Sequence, residues 1–378
     1  MFSAYPIRRG VSMYSRTMST VLILVILPLL ICCKESTTEA EREDAIPTSL
    51  KLIPESRIVA PGMERGFQAL AVYSDDSQKD VTMQSEWSLD DSGIEGIADL
   101  PGEKGIVRAL AQGDGSIGAV YKGISGSAKL TVVDGEQPSL GNSVSILYLD
   151  HSTGHNIWQG GVKDWFDRYN ATHKTEFRIV EQAFPKSRPY GWNNYPYDYW
   201  NIWVKNGGQA PYLEEPTLEI LTGQYQVIVF KHCYPVSSIK PDTGKPDVSS
   251  NEKRVENYKL QYEALKTKMR SFPATRFIVW TGAARVKKAT SRDEAERARQ
   301  FFTWVKNDWD EPGDNIFVWD FHELETEGGL YLKDEYAVSK EDSHPNKSFS
   351  MKAAPLISQR IVDVIQGRGD IASLPEGQ

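Results

Sequence analysis

The pattern of hydrophobic and polar positions changes character along the chain. Residues 21–31 form an apolar run broken only by Pro28, and Arg8, Arg9 and Arg16 precede it. Such a run after positive charge has the make-up of a secretory leader over residues 1–33, and it is too short to span a bilayer comfortably. Residues 34–47 are polar and acidic without apolar periodicity, which predicts a flexible tether. From 48 to 135 short alternating segments follow one another: Ser49–Ile53, Phe67–Tyr73, Val81–Met83, Ile106–Ala111 and Ala128–Val133. Turns rich in Asp, Gly and Ser separate them, and short strands at that spacing predict a small all-β sandwich.

After a linker at 136–143 the texture becomes strands alternating with amphipathic helices. Val144–Leu149, Phe177–Val180, Tyr225–Phe230, Arg276–Trp280 and Asn315–Trp319 read as strands. Helices are predicted over Ile157–Tyr169, Asn251–Phe272, Ser291 to about Asn307, and Lys347–Ile365; Ser291 and Glu294 have the spacing of a capping box. The pattern predicts an α/β domain over 144–370: three layers around a parallel five-stranded sheet, flavodoxin-like.

Composition narrows the function classes. A formal net charge of −8 argues against a nucleic-acid partner, which needs basic surface. Cys32, Cys33 and Cys233 are the three cysteines, so the body after the leader has one thiol and no internal disulfide. There is no CxxC or HExxH spacing, and no metal or organic cofactor is implied. Leu30-Ile31-Cys32-Cys33 resembles a bacterial lipobox, with Cys33 the acylated residue behind the small Cys32. That resemblance implies an exported lipoprotein anchored in the cell envelope by its lipid; an ordinary signal peptide with incidental cysteines is the plainer reading. A monomer is expected.

Within 48–135, Leu50-x-Leu52-x-Pro54, Phe67-x-Ala69-x-Ala71-x-Tyr73-x-Asp75, Trp87-Ser88 and Ala128-x-Leu130-Thr131-Val132 resemble a bacterial group 2 Ig-like domain. The resemblance implies a spacer or adhesion module with Trp87 buried in its core.

Ligands of open parallel sheets bind beyond the carboxyl ends of the strands, so those ends are where chemistry is expected. Asp150-His151-Ser152-Thr153-Gly154 follows the first strand, Lys231-His232-Cys233 the third, and Glu341-Asp342-Ser343-His344-Pro345-Asn346 precedes the last helix. A serine hydroxyl becomes a useful nucleophile when an imidazole takes its proton, and a carboxylate fixes that imidazole's tautomer. Taken singly, Ser152 is equally a helix N-cap and His344 a turn residue.

Together these segments resemble the SGNH (GDSL-type) hydrolases over roughly residues 144–367. The resemblance implies Ser152 as nucleophile and His344 as base, with Asp342 or Glu341 orienting the imidazole. The chain departs from the family in two places. Ser152 lies in His-Ser-Thr-Gly rather than Gly-Asp-Ser, and Lys231-His232-Cys233 replaces the block whose asparagine lines the oxyanion hole. The oxyanion would then rely on amides near Ser152 and Gly154, on Gly191, and on Lys231 or His232, with His151 shaping the pocket. Cys233 reads as a buried apolar residue rather than a nucleophile.

Residues 184–212 are crowded with aromatics, among them Trp192, Tyr197, Trp200 and Trp203. Two readings stand: a platform for sugar rings, or a satellite core beneath a long insertion. The function implied is an ester hydrolase acting on O-acyl groups of carbohydrate. A non-catalytic domain that binds glycans is the alternative.

Overall fold

A computed structural model describes residues 45–89, 94 and 96–371 of the 378-residue chain. The expected leader, the Cys32–Cys33 pair and most of the expected tether lie outside the described residues. Among the described residues, no helix is long and apolar enough to cross a membrane.

Among the described residues, the N-terminal part has ten strands: β1 (Pro47–Ile53), β2 (Ser56–Val59), β3 (Glu64–Gly66), β4 (Gln68–Tyr73), β5 (Gln78–Asp80), β6 (Glu86–Leu89), β7 (Ala98–Asp99), β8 (Ile106–Ala109), β9 (Gly113–Tyr121) and β10 (Ile124–Val132). They form sheets of order β1-β4-β5, β2-β10-β9-β6 and β3-β8-β7, antiparallel except for the β2–β10 pair. Alternation puts Leu50, Leu52, Ala69, Ala71, Ile117, Ala119 and Leu130 into one apolar core. The Val81–Met83 strand expected from sequence is instead a 3₁₀ turn over Thr82–Gln84. Local bonds explain it: Asp80 accepts the Thr82 amide at 2.9 Å, and Ser85 Oγ donates to the Val81 carbonyl at 2.8 Å, so side chains outcompete a ladder. Trp87 is only partly buried, packing against this core with its indole N–H on the Thr82 carbonyl.

The C-terminal part contains a five-stranded, wholly parallel sheet: β11 (Ser143–Asp150), β12 (Glu176–Ala183), β13 (Val227–Phe230), β14 (Arg276–Trp280) and β15 (Ile316–Trp319), ordered β12-β11-β13-β14-β15. The inner strands are apolar on both faces because helices cover both. Leu147, Leu149, Ile228, Phe230, Phe277 and Val279 face one core with α5 (Val255–Arg270) and α6 (Arg292–Trp304). Ile146, Tyr148, Val227, Val229, Ile278 and Trp280 face the other. That second core is closed by α1 (Thr153–Gln159), α2 (Val162–His173) and α8 (Lys347–Ile365), and the shorter helices are α3 (Pro196–Trp200), α4 (Leu218–Leu221) and α7 (Phe321–Thr326). The capping box at Ser291 and Glu294 is present.

The helix expected over Ile157–Tyr169 is two helices. Gly161 sits at φ +112°, and a Cβ on Gly160 would come within 2.2 Å of the Ser350 carbonyl. The chain therefore turns sharply at these glycines, and α1 nestles against α8.

The two parts are joined by more than the linker. Arg57 on β2 bonds the Gly66 carbonyl at 2.9 Å and also reaches the Asn307 carbonyl and the Asp308 carboxylate. Within the linker, Gln137 donates its amide to the Gly367 carbonyl and its side chain to that of Asp314.

Candidate active site

β11 and β13 are adjacent although β12 lies between them in sequence, so the connections leave the sheet on opposite sides there. That switch point opens a crevice at the carboxyl ends. The chain leaves β11 at Asp150 and reaches α1 at Thr153, with Ser152 at the turn. Ser152 has φ +52° and ψ −95°, a region that costs a residue bearing a Cβ on the order of 1–3 kcal/mol. It occupies the N-cap position of α1 but makes no capping bond. Its hydroxyl instead contacts His344 Nε2 directly.

His344 is held by the segment entering α8. Asn346 caps that helix by accepting the Phe349 amide at 2.9 Å, and its own amide group donates to the Glu335 and Ala337 carbonyls. Asn156 of α1 donates to the Pro345 carbonyl at 3.0 Å, tying this segment to the helix that follows Ser152. The Tyr234 ring stands edge-on to the imidazole at 5.1 Å.

Asp342 Oδ1 lies 2.5 Å from His344 Nδ1 and accepts the His344 amide at 3.0 Å. That amide bond, foremost, holds the carboxyl below the usual carboxylate range. An ionised Asp342 fixes the imidazole proton on Nδ1 and leaves Nε2 free to accept from Ser152 Oγ. Glu341, the other candidate, is exposed and pairs with Lys288 at 2.7 Å.

Other expected residues lie elsewhere. Gly191 is exposed, and its amide is taken by the Ser187 carbonyl. Gly154 donates its amide to the His151 carbonyl. Its lack of a side chain serves packing, since a Cβ would meet Lys231 Cε and Asp150 Cβ, each at 2.7 Å. Lys231 is buried and directs Nζ to Cys233 Sγ at 3.0 Å and the His232 carbonyl at 3.3 Å. His232 is buried against the Tyr262 hydroxyl at 2.8 Å, and burial pushes its imidazole down to about 3. Neither side chain lines the pocket, so neither is placed as an oxyanion donor. Burial raises the Cys233 thiol, but the Lys231 charge and hydrogen bonds bring it down to about 7.

The aromatic segment is core. Trp203 is fully buried, Trp192 and Trp200 are 9% and 7% exposed, and Tyr197 packs partly buried against the same cluster. Phe184 stacks on Trp203 at 5.1 Å, and Tyr199 donates to the Lys231 carbonyl at 2.6 Å. These rings cover one face of the sheet in a crossover that has little helix to do so.

Ser152, His344 and Asp342 open on a cavity of about 720 Å³, also lined by His151, Asp150, His155, Asn156, Glu181, Ala183 and Val338. The sequence reading assigned no role to His155, Asn156 or Glu181. The Ser152 amide makes no hydrogen bond among the described residues, and Asn156 keeps a second side-chain N–H uncommitted.

No family model matches the chain. A stretch of 106 residues, 28% of this chain, is 31% identical to Ice-binding protein 1 of Shewanella frigidimarina, but the match spans only 11% of that protein. Among solved structures, a gut microbial diltiazem-metabolizing enzyme overlaps 61% of this chain and 48% of its own at 12% identity and a TM-score of 0.38. A carbohydrate esterase overlaps 74% and 97% at 10% identity and a TM-score of 0.28. Domains 5–6 of the S-layer protein SbsC overlap 25% and 48% at 14% identity and a TM-score of 0.22. Likenesses this weak carry no functional argument, and the chemistry is read from the site.

Proposed function

We propose that the chain is a serine esterase of SGNH type, and the contact of Ser152 Oγ with His344 Nε2 carries that reading. Ser152 attacks the acyl carbon while Nε2 takes its proton. The tetrahedral intermediate collapses as the imidazolium returns that proton to the departing alcohol, leaving an acyl-serine. Water, deprotonated by the same nitrogen, then releases the acid and restores the serine. The unpartnered Ser152 amide supplies one oxyanion donor, and Asn156, which lines the same cavity with a side-chain N–H to spare, is a side-chain candidate for a second.

The substrates are O-acylated carbohydrates with short acyl groups. The cavity wall is polar, with Glu181 and Asn156 suited to sugar hydroxyls, and only Ala183 and Val338 are aliphatic. The C-terminal part is the flavodoxin-like catalytic domain, and the N-terminal sheets are an Ig-like spacer. Cys33 carries a lipid that anchors the exported protein to the envelope. A non-catalytic glycan binder has less in its favour, because Trp192, Trp200 and Trp203 are occupied in the core.

The chain should release nitrophenol from a nitrophenyl acetate, and Ser152→Ala should lower kcat by on the order of 1,000-fold or more. Equal activity of wild type and Ser152→Ala across several acyl lengths would sink the esterase reading.

A further inference from the structure

Beside the triad, the same cavity wall gathers three groups from three elements: Asp150 at the end of β11, His155 on α1 and Glu181 on the edge strand β12. One ligand-capable atom from each lies within 4.8 Å of the other two. His155 Nδ1 is 2.6 Å from Glu181 Oε1. Asp150 is 2% exposed, and its Oδ2 is buried without any hydrogen-bond partner.

Two carboxylates brought together with one largely out of water need a proton or a cation between them. The Lys231 side chain lies nearby, but its Nζ is bonded to Cys233 Sγ and the His232 carbonyl.

We infer that Asp150, His155 and Glu181 form a site for one divalent transition-metal cation such as Zn²⁺ or Mn²⁺. One imidazole nitrogen with two carboxylates is a ligand set for such ions rather than for Ca²⁺, which takes oxygen alone. Ligand atoms about 2.1 Å from a shared ion can be no more than about 4.2 Å apart, so any pair near the 4.8 Å bound closes slightly on binding. The exposed His155 has the freedom to do that. Three protein ligands leave positions open towards the cavity, as in metal sites that also receive substrate. Binding adds positive charge to a wall that carries the carboxyl groups of Asp150, Glu181 and Asp342.

The inference is independent of the esterase reading and is tested without substrate. The full chain, stripped with a chelator, is titrated with Mn²⁺ at neutral pH while the paramagnetic resonance signal of free Mn²⁺ is followed. Mn²⁺ avoids thiolates, so Cys32, Cys33 and Cys233 do not confuse the count. One saturable site per chain is expected, weakened on the order of 100-fold in both His155→Ala and Glu181→Gln. His155 is exposed, so its variant keeps the fold, which circular dichroism checks. Absence of saturable binding of both Mn²⁺ and Zn²⁺, or equal affinity in wild type and both variants, overturns the site. Esterase activity that survives the chelator in either case leaves the triad reading standing.

Discussion

His344 Nδ1 lies 2.5 Å from Asp342 Oδ1, and that same oxygen accepts the backbone N–H of His344 at 3.0 Å. The two residues close a small ring through one carboxylate oxygen, so the imidazole's rotation and its tautomer are fixed together. Asp342 is two residues before the histidine, and only a short side chain can turn back over so few bonds. Glu341 points outward to Lys288.

The two carboxylates should therefore separate cleanly by mutation. Asp342→Asn should lower kcat by on the order of 100-fold or more, because the tautomer is no longer held. Glu341→Gln breaks only an exposed pair and should leave kcat within about twofold. Steady-state kinetics on a nitrophenyl ester decide it; a larger loss for Glu341→Gln would reverse the assignment.

The pH dependence follows from the same bonds. The folded state depresses the Asp342 carboxyl, so its contribution is fully present above its ordinary value of 3.8 and is lost only as pH falls through the lower folded value. Asp342 consequently stays ionised over the range in which an esterase is assayed. Asp342 should therefore add no step of its own to the acid-side fall of kcat/KM above its ordinary value. A slope of two above about pH 4 would mean that Asp342 titrates too.

The aromatic segment should answer to denaturant rather than to substrate. Trp203→Ala empties a fully buried site and should cost about 3–5 kcal/mol of stability. His232→Ala leaves the buried Tyr262 hydroxyl unpartnered and should cost about 1–3 kcal/mol with kcat nearly unchanged. Urea unfolding alongside kinetics separates the cases. A severalfold rise in KM for Trp203→Ala at unchanged stability would restore the sugar-platform reading.

Anchoring is tested in a bacterial host fed a clickable fatty acid. Cys33→Ala should abolish labelling and Cys32→Ala should not. The reverse pattern would move the anchor by one residue, and labelling of neither wild type nor variant would exclude a lipoprotein.

The five strands, most of their helices, the strand end that carries Ser152 and the helix start that follows His344 are all legible in the amino-acid sequence. Continuous apolar runs mark strands buried on both faces, and a 3.6-residue period marks one buried helix face, so both are written locally. Two local signals misled. Val81–Met83 has strand-like residues, but Asp80 and Ser85 bond the backbone into a turn. Ile157–Tyr169 has helical periodicity, but Gly160 must pass under Ser350.

The tertiary structure alone decided which carboxylate meets His344, that the rings of Trp192, Trp200 and Trp203 close a core, and that His232 turns away from the pocket. It also brought Asp150, His155 and Glu181 to one wall, although Glu181 is 26 residues from His155 in sequence. Periodicity fixes which face of an element is buried. What a polar side chain meets at a strand end depends on how neighbouring strands are ordered and how far each runs. Here the switch between β11, β12 and β13 sets both, and no local pattern encodes it.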